Sequence, residues 1–157
     1  MFEKVLVCLD GSVSAEEILP YISKESRHFG KVVLLKVVGP PVMELPIGVP
    51  GGELGPLQTK TMLKNFRDAL TKEGPSYLEK QAEPLRAKGL DVETVVLECT
   101  PAKAIMDYAA ENGVTMLAIA THGHGNLREL TVGSTAEYIL KNSGLPVLMV
   151  THKKKMK

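Results

Sequence analysis

The chain has 157 residues, 44% of them hydrophobic and 24% charged, which is the composition of one folded domain and not of a disordered segment. No apolar run approaches the roughly 20 residues that a membrane helix needs, and the opening MFEKVLVCLDGS lacks the features of a signal peptide, so we expect a cytoplasmic protein. The net charge of +1 owes its sign to lysines in a predicted basic tail over 153–157, after a domain over 1–152, and no basic stripe favours binding to nucleic acid.

The first elements are predicted to be a strand, a helix and a second strand. Residues 4–9 and 31–38 are short apolar runs rich in Val and Leu, as in parallel strands that are buried on both faces. Ser14 begins a capping box at the start of the helix between them. Pro20 is expected to kink this helix, and Gly30 is expected to end it.

A long loop and a long helix are predicted next. Residues 39–57 contain ten glycines and prolines, which indicates a loop that serves either as a lid or as a plain surface connection. Residues 58–88 carry apolar side chains at helical spacing, with a break expected near residue 74 where Gly74 and Pro75 interrupt the pattern.

The rest of the chain alternates between strands and helices. The predicted strands are 91–98, 115–120 and 146–151, and the predicted helices run from Pro101 to about 112 and from 134 to 142. Such alternation predicts an α/β domain with a parallel sheet covered on both faces. Right-handed crossovers leave two common strand orders, 3-2-1-4-5 and 2-1-3-4-5, and both bind ligands beyond the carboxyl ends of the strands where the winding reverses.

The stretch ATHGHGNLRELTVGST, residues 120–135, follows the fourth strand and leads into the last helix. Gly133, Ser134 and Thr135 fall where that helix begins, and the N–H groups of a helix N-terminus favour phosphate. The two hydroxyls either donate to phosphate or cap the helix. Asp10, after the first strand, would repel phosphate but accept hydrogen bonds from ribose. The pattern therefore suggests a nucleotide with its sugar near Asp10.

The histidines and cysteines give no catalytic or metal centre. His122 and His124 have no second base or nucleophile near them in the sequence, which favours contact with phosphate or backbone over catalysis. Cys8 and Cys99 lack the spacing of metal ligands and are expected to be reduced and structural.

The spacing of the glycines resembles that of the universal stress protein family. The ATP-binding branch of that family carries G-x-x-G, nine residues and then G-[ST], and this chain has Gly123, HGNLRELTV and Gly133-Ser134. The segments VLVCLDGS and TAEYILKNSGLPVLMV are also similar to the family, so the likeness spans almost the whole chain. One departure is Ala120, which stands where the motif has its first glycine.

This resemblance implies a Rossmann-like sheet in the order 3-2-1-4-5, and ATP with Mg²⁺ as the ligand. Adenine would be held by backbone groups near Val37 with Leu9 beside it, and Asp10 would take the ribose. The other residues implied to line the pocket or meet the phosphates are Ile119, Ala120, His122, Gly123, Gly133, Ser134, Thr135 and Ala136. The implied function is regulatory, in the stress response, with at most slow ATP hydrolysis.

Two other functions remain open at this point. One is a stress-response homodimer that binds no nucleotide and acts through protein partners, as in another branch of the family. The other is an ATP-cleaving or flavin redox enzyme, which would normally place a phosphate loop after the first strand, where this chain has Leu9-Asp10-Gly11-Ser12. A homodimer is expected in either regulatory case, because strand 146–151 would form a sheet edge able to pair with its own copy.

Overall fold

The computed structural model describes residues 1–39, 56–121 and 133–151. The strands are Phe2–Leu9 (β1), Phe29–Val38 (β2), Asp91–Glu98 (β3), Met116–Thr121 (β4) and Val147–Thr151 (β5). The helices are Val13–Glu16 (α1), Leu19–Lys24 (α2), Pro56–Asp68 (α3), Gly74–Ala87 (α4), Pro101–Glu111 (α5) and Ser134–Asn142 (α6). Most of the predicted loop 39–57, both loop histidines and the basic tail lie outside the described residues. Within the described ranges, no helix has the length and apolar character to cross a bilayer.

The five strands form one parallel sheet in the order β3-β2-β1-β4-β5. β1 lies at the centre, with Val7 opposite Leu34 of β2 and Cys8 opposite Ile119 of β4. The predicted fold is therefore confirmed, in the first of its two possible strand orders. The winding reverses between β1 and β4, because β1, β2 and β3 follow one another outward and the chain then crosses back to place β4 on the other side.

Both faces of the sheet are covered by helices, which explains why β1 is apolar without alternation. Val5, Val7 and Leu9 pack on the face covered by α1, α2 and α4. Leu6 and Cys8 pack on the opposite face, with α5 and α6. All five residues are buried, as expected for a strand between two helical layers.

The first helical region differs from its prediction at its start and at its middle. The cap is Ser12, whose hydroxyl accepts a hydrogen bond from the Ala15 N–H at 3.1 Å, so the capping box assigned to Ser14 is wrong. α1 is a single turn, and Pro20 lies in the first turn of a separate helix, α2. Proline is tolerated there because the first helical N–H groups need no partner within the helix.

Gly30 lies inside β2 and does not end a helix, which corrects the sequence prediction. A short 3₁₀ turn over Ser26–His28 closes the helical region, and buried Phe29 already begins the strand. A Cβ atom at Gly30 would lie 2.7 Å from the Glu3 carbonyl oxygen. The glycine is therefore needed because β1 passes close to it, and not because the backbone turns.

The helix predicted over 58–88 is interrupted where expected, by one wide π-helical turn. This turn spans Ala69–Glu73 and is followed at once by Gly74. The Gly74 N–H donates to the Ala69 carbonyl, five residues back, and a Cβ at Gly74 would lie 2.7 Å from that same oxygen. α4 then continues through Pro84 to the turn at Gly89, whose φ is +86°.

Replacing Gly30 by alanine is expected to destabilise the fold. The added methyl meets a backbone carbonyl, which cannot move without shifting β1, so we expect Gly30→Ala to lower the free energy of unfolding by about 1–3 kcal/mol. Gly39→Ala is the matched control, since no atom of the described residues lies within 4 Å of a Cβ there. Urea unfolding of both variants measures the difference, and equal stability of the two would contradict the proposed close approach.

Candidate functional site

A cavity of about 410 Å³ opens at the carboxyl ends of β1 and β4, where the winding reverses. This is the place where open α/β sheets bind their ligands. Nine of the residues predicted for the site line this one cavity: Leu9, Asp10, Val37, Ile119, Ala120, Gly133, Ser134, Thr135 and Ala136. The other two, His122 and Gly123, lie outside the described residues.

The cavity is also lined by six residues that the sequence analysis did not assign to the site: Cys8, Ala15, Leu35, Pro101, Ile105 and Thr121. The signal that points to several of them is strand position. Cys8 and Thr121 lie within two residues of predicted site residues on the same strands, and Pro101 begins the helix that follows β3. Several adjacent strands contribute residues to the wall of a cavity, so a motif on one loop does not identify all of the lining residues.

One wall of the cavity is apolar. Cys8, Leu35, Ile105 and Ile119 are all buried and belong to the core cluster beneath α5 and α6. Such a wall suits a flat, weakly polar ring, because moving the ring from water to an apolar surface lowers the free energy. The Cys8 thiol adds no reactivity here, because burial raises its pKa to about 12.

The start of α6 forms the opposite, polar part of the cavity. Gly133 is the N-cap residue, with φ −47° and ψ 156°, and no side chain in the described part of the chain caps the helix. Ser134 is therefore the first helical residue and not the cap, so the capping alternative for its hydroxyl does not hold. The first N–H group to bond within the helix is that of Glu137, which donates to the Gly133 carbonyl at 3.0 Å. The N–H groups before it have no partner within the helix, which is the arrangement that favours an anion.

The Asp10 turn is held from two sides. The Asp10 carboxylate accepts a hydrogen bond from the Ser12 N–H at 2.8 Å. The Lys36 ammonium donates to the Asp10 carbonyl at 3.0 Å. Between them Gly11 has a φ of +89°, a conformation that glycine adopts without strain. These contacts set the direction in which the Asp10 side chain leaves the end of β1.

Lys36 is in turn positioned by Tyr77 of α4. Its ammonium nitrogen lies 5.6 Å from the centre of the Tyr77 ring, within the range of a cation–π contact. The Tyr77 hydroxyl donates to the Glu16 carboxylate at 3.0 Å. Burial, followed by this hydrogen bond and the charge of Glu16, raises the pKa of Tyr77 above its usual range, which keeps the hydroxyl protonated as a donor.

A second cavity, about 470 Å³, opens on the other face of β2. Val37 lines both cavities, whereas Lys36, Glu73 and Tyr77 line the second. Lys36 and Glu73 carry opposite charges, so this cavity offers little net attraction to an anion. Among residues 1–39, 56–121 and 133–151, no cluster of three or more His, Cys, Asp or Glu side chains is arranged to hold a metal ion.

Comparison with known proteins gives one consistent family. The model of the Universal stress protein family matches residues 1–151. Universal stress protein MJ0577 of Methanocaldococcus jannaschii is 29% identical over 160 residues, which cover 98% of this chain and 97% of that protein. Universal stress protein YxiE of Bacillus subtilis is 29% identical over 151 residues, covering 96% of this chain and 99% of that protein.

Solved structures support the same fold. A structure of MJ0577 has a TM-score of 0.75 at 25% identity and covers 99% of both chains. A universal stress protein in complex with cAMP has a TM-score of 0.65 at 16% identity, over 97% of this chain and 98% of that one. A family member from Arabidopsis thaliana with AMP bound has a TM-score of 0.63 at 16% identity, over 96% of this chain and 92% of that one.

The two cysteines are expected to differ sharply in reactivity. A pKa near 12 in place of 9.0 leaves the Cys8 thiol with roughly a thousandfold less thiolate than an ordinary cysteine, and only thiolate attacks disulfide reagents. At pH 7.5 the native protein should therefore react quickly at Cys99 alone, which is partly exposed. Ellman's reagent measures this, with Cys99→Ser as the variant that should show no fast thiol until it is unfolded in guanidinium. A rapid reaction of native Cys99→Ser would contradict the buried, protonated Cys8.

Proposed function

The chain belongs to the universal stress protein family, and from that premise we propose that it binds ATP in the cavity between β1 and β4 and serves a regulatory role in the stress response. The observation that carries the proposal is the convergence of nine of the residues predicted for the site on one cavity of about 410 Å³. They come from the ends of three strands, β1, β2 and β4, and from the start of α6, so their meeting depends on the tertiary fold. The adenine nucleotides bound by two structural relatives support the same class of ligand.

In this proposal the base occupies the apolar part of the cavity. Val37 lies near the end of β2, where backbone groups can read the edge of adenine, and Leu9 lies beside it. Leu35, Ile105 and Ile119 supply the apolar wall. A guanine ring presents a different arrangement of donors and acceptors along its edge, so contacts with fixed backbone groups would favour adenine.

The ribose and phosphates occupy the polar part. Asp10 accepts hydrogen bonds from the ribose hydroxyls, because a carboxylate is an acceptor and a ribose hydroxyl is a donor. The N–H groups of Ser134, Thr135 and Ala136, with the Ser134 hydroxyl, bind the phosphates at the uncapped N-terminus of α6. Mg²⁺ would be held mainly by phosphate oxygens and water, a common arrangement at nucleotide sites.

The ionisable groups around the cavity support at most slow hydrolysis. The described lining residues include two titratable side chains, Cys8 and Asp10. Cys8 is protonated at neutral pH, and Asp10 is assigned to the ribose. Neither is placed by this assignment to activate water at the terminal phosphate, so we expect ATP to be held as a signal and not consumed rapidly.

We also propose a homodimer that forms through β5. The Leu117 N–H donates to the Pro146 carbonyl at 2.9 Å, so the backbone groups of Pro146 point towards β4. Alternation along the strand then turns the N–H groups of Val147, Met149 and Thr151 outward, to the open edge of the sheet. The residues Val147–Val150 are all only half-buried, which fits an edge that a second copy covers.

Changes at the start of α6 test the proposed phosphate site. No atom of the described residues lies within 4 Å of a Cβ at Gly133, and its φ is negative, so Gly133→Val should fold normally yet block the approach of phosphate. We expect ATP affinity to fall by well over tenfold, since charge-assisted hydrogen bonds contribute about 1.5–3 kcal/mol each. Ser134→Ala should weaken ATP and spare adenosine, and its melting temperature should stay unchanged because Ser134 does not cap the helix.

Isothermal titration calorimetry with ATP, GTP and adenosine makes these measurements, and Asp10→Ala serves as the comparison because it should weaken ATP and adenosine alike. Unchanged ATP affinity in folded Gly133→Val would end the phosphate assignment. Equal binding of GTP would remove the adenine preference, and the absence of heat from wild-type protein at millimolar ATP would reject nucleotide binding itself.

The dimer is tested by removing one outward N–H group. Met149→Pro should give a monomer in light scattering at micromolar concentration, because proline deletes an edge donor while leaving the hydrogen bonds to β4 in place. Met149→Ala is the control, since it shortens the same side chain and keeps the donor, and it should remain dimeric. A proline at Leu148 would be less informative, because that N–H points towards β4. A monomeric wild type, or dimeric Met149→Pro, would refute the interface.

A further inference from the structure

One polar side chain at the cavity has no role in the site as proposed so far. Thr121 is the last residue of β4 and is only 6% exposed. Among the residues that the structure describes, it is the one polar or charged residue in the buried core. Burying a hydroxyl costs free energy unless it finds a hydrogen-bond partner, so the place of this side chain requires an explanation.

The Thr121 hydroxyl has no protein partner within the described part of the chain. No described residue donates to it or accepts from it. No side-chain oxygen or nitrogen in the described ranges is both fully shut off from solvent and without a partner. Because Thr121 also lines the cavity, its hydroxyl must reach the open space of that cavity.

The strand register places Thr121 beside Asp10. β1 and β4 run parallel with Cys8 opposite Ile119, and Asp10 and Thr121 each follow two residues later. Side chains two residues apart on a strand share a face, so Thr121 faces the same side as Ile119, towards α5 and α6. It therefore lies at the reversal of the winding, and it lines the same cavity as Asp10 and the residues that begin α6.

From this position we infer that the Thr121 hydroxyl binds the nucleotide and donates a hydrogen bond to its 5′-phosphate, the first phosphate after the ribose. Phosphate oxygens accept hydrogen bonds and therefore need a donor. The ionised Asp10 carboxylate cannot be that donor, because it only accepts. The Thr121 hydroxyl is such a donor, and we place it where the ribose bound by Asp10 joins the phosphates bound by the N–H groups of α6. This inference rests on the proposed nucleotide site and adds a contact to it.

The test compares Thr121→Val, which keeps the shape and loses the hydroxyl, with Thr121→Ser, which keeps the hydroxyl. Calorimetry with adenosine, AMP and ATP should show AMP and ATP weakened by about tenfold or more in Thr121→Val, with adenosine within about twofold of wild type. Thr121→Ser should stay within about threefold of wild type for all three ligands. Thr121→Ala, which also lacks the hydroxyl, provides the same comparison if the valine variant melts at a lower temperature.

The outcomes separate this inference from the proposed function. If wild type binds ATP and Thr121→Val and Thr121→Ala bind AMP and ATP as tightly, the contact does not exist and the nucleotide site stands without it. If adenosine weakens as much as AMP, the hydroxyl meets the ribose and the phosphate assignment is overturned. If wild type binds none of the three ligands, the proposed function fails and the inference fails with it.

Discussion

The structure depends on the position of β1, the first strand, at the centre of the sheet. β2 pairs on one side of it and β4 on the other, and helices cover both faces, so every side chain from Val5 to Leu9 is buried. Because the chain winds outward from β1 in one direction and then returns to the other side, none of the described crossover helices covers the gap between the ends of β1 and β4. The cavity exists because of this gap, and the residues around it are those that the reversal brings together.

The two faces of the sheet are also linked at this point. Asp10 is positioned by Lys36, which crosses from the end of β2, and Lys36 is positioned by Tyr77 of α4 and through it by Glu16 of α1. These contacts lie on the side of the sheet away from α6. The carboxylate that we propose for the ribose is therefore oriented from the layer of helices on the side away from α6, which otherwise lines the cavity through Ala15. Changes in that layer would reach the ligand through the Asp10 carbonyl and the turn that follows it.

The strand order and most of the cavity lining were predictable because they follow from rules that act along the chain. Short apolar runs indicate buried strands, alternation with helices indicates a parallel sheet, and the spacing from Gly123 to Gly133-Ser134 points to the α6 N-terminus. The failures have a different origin. The local pattern predicts a helix end at Gly30, whereas the glycine is required by the close approach of the Glu3 carbonyl on another strand. Thr121 was missed because its isolation from hydrogen-bond partners depends on how β1, β4 and α6 meet, which no local pattern records.

The wide turn at Ala69–Glu73 bears on how this chain tolerates changes in length. A π-helical turn holds one residue more than the α-helical turn it replaces, so deleting a residue within it would restore a continuous α-helix. Such a deletion would leave α4 anchored through Leu78 and Leu85, which are buried, and would rotate α3 by about 100° around the common axis. No described side chain of α3 is fully buried, although Met62 and Phe66 are half-buried. The rotation would therefore change the contacts of those two side chains but would move no fully buried one. The turn thus separates the phase of a mostly exposed helix from that of a buried one, so a single-residue deletion there would leave the packing of Leu78 and Leu85 against the sheet in place.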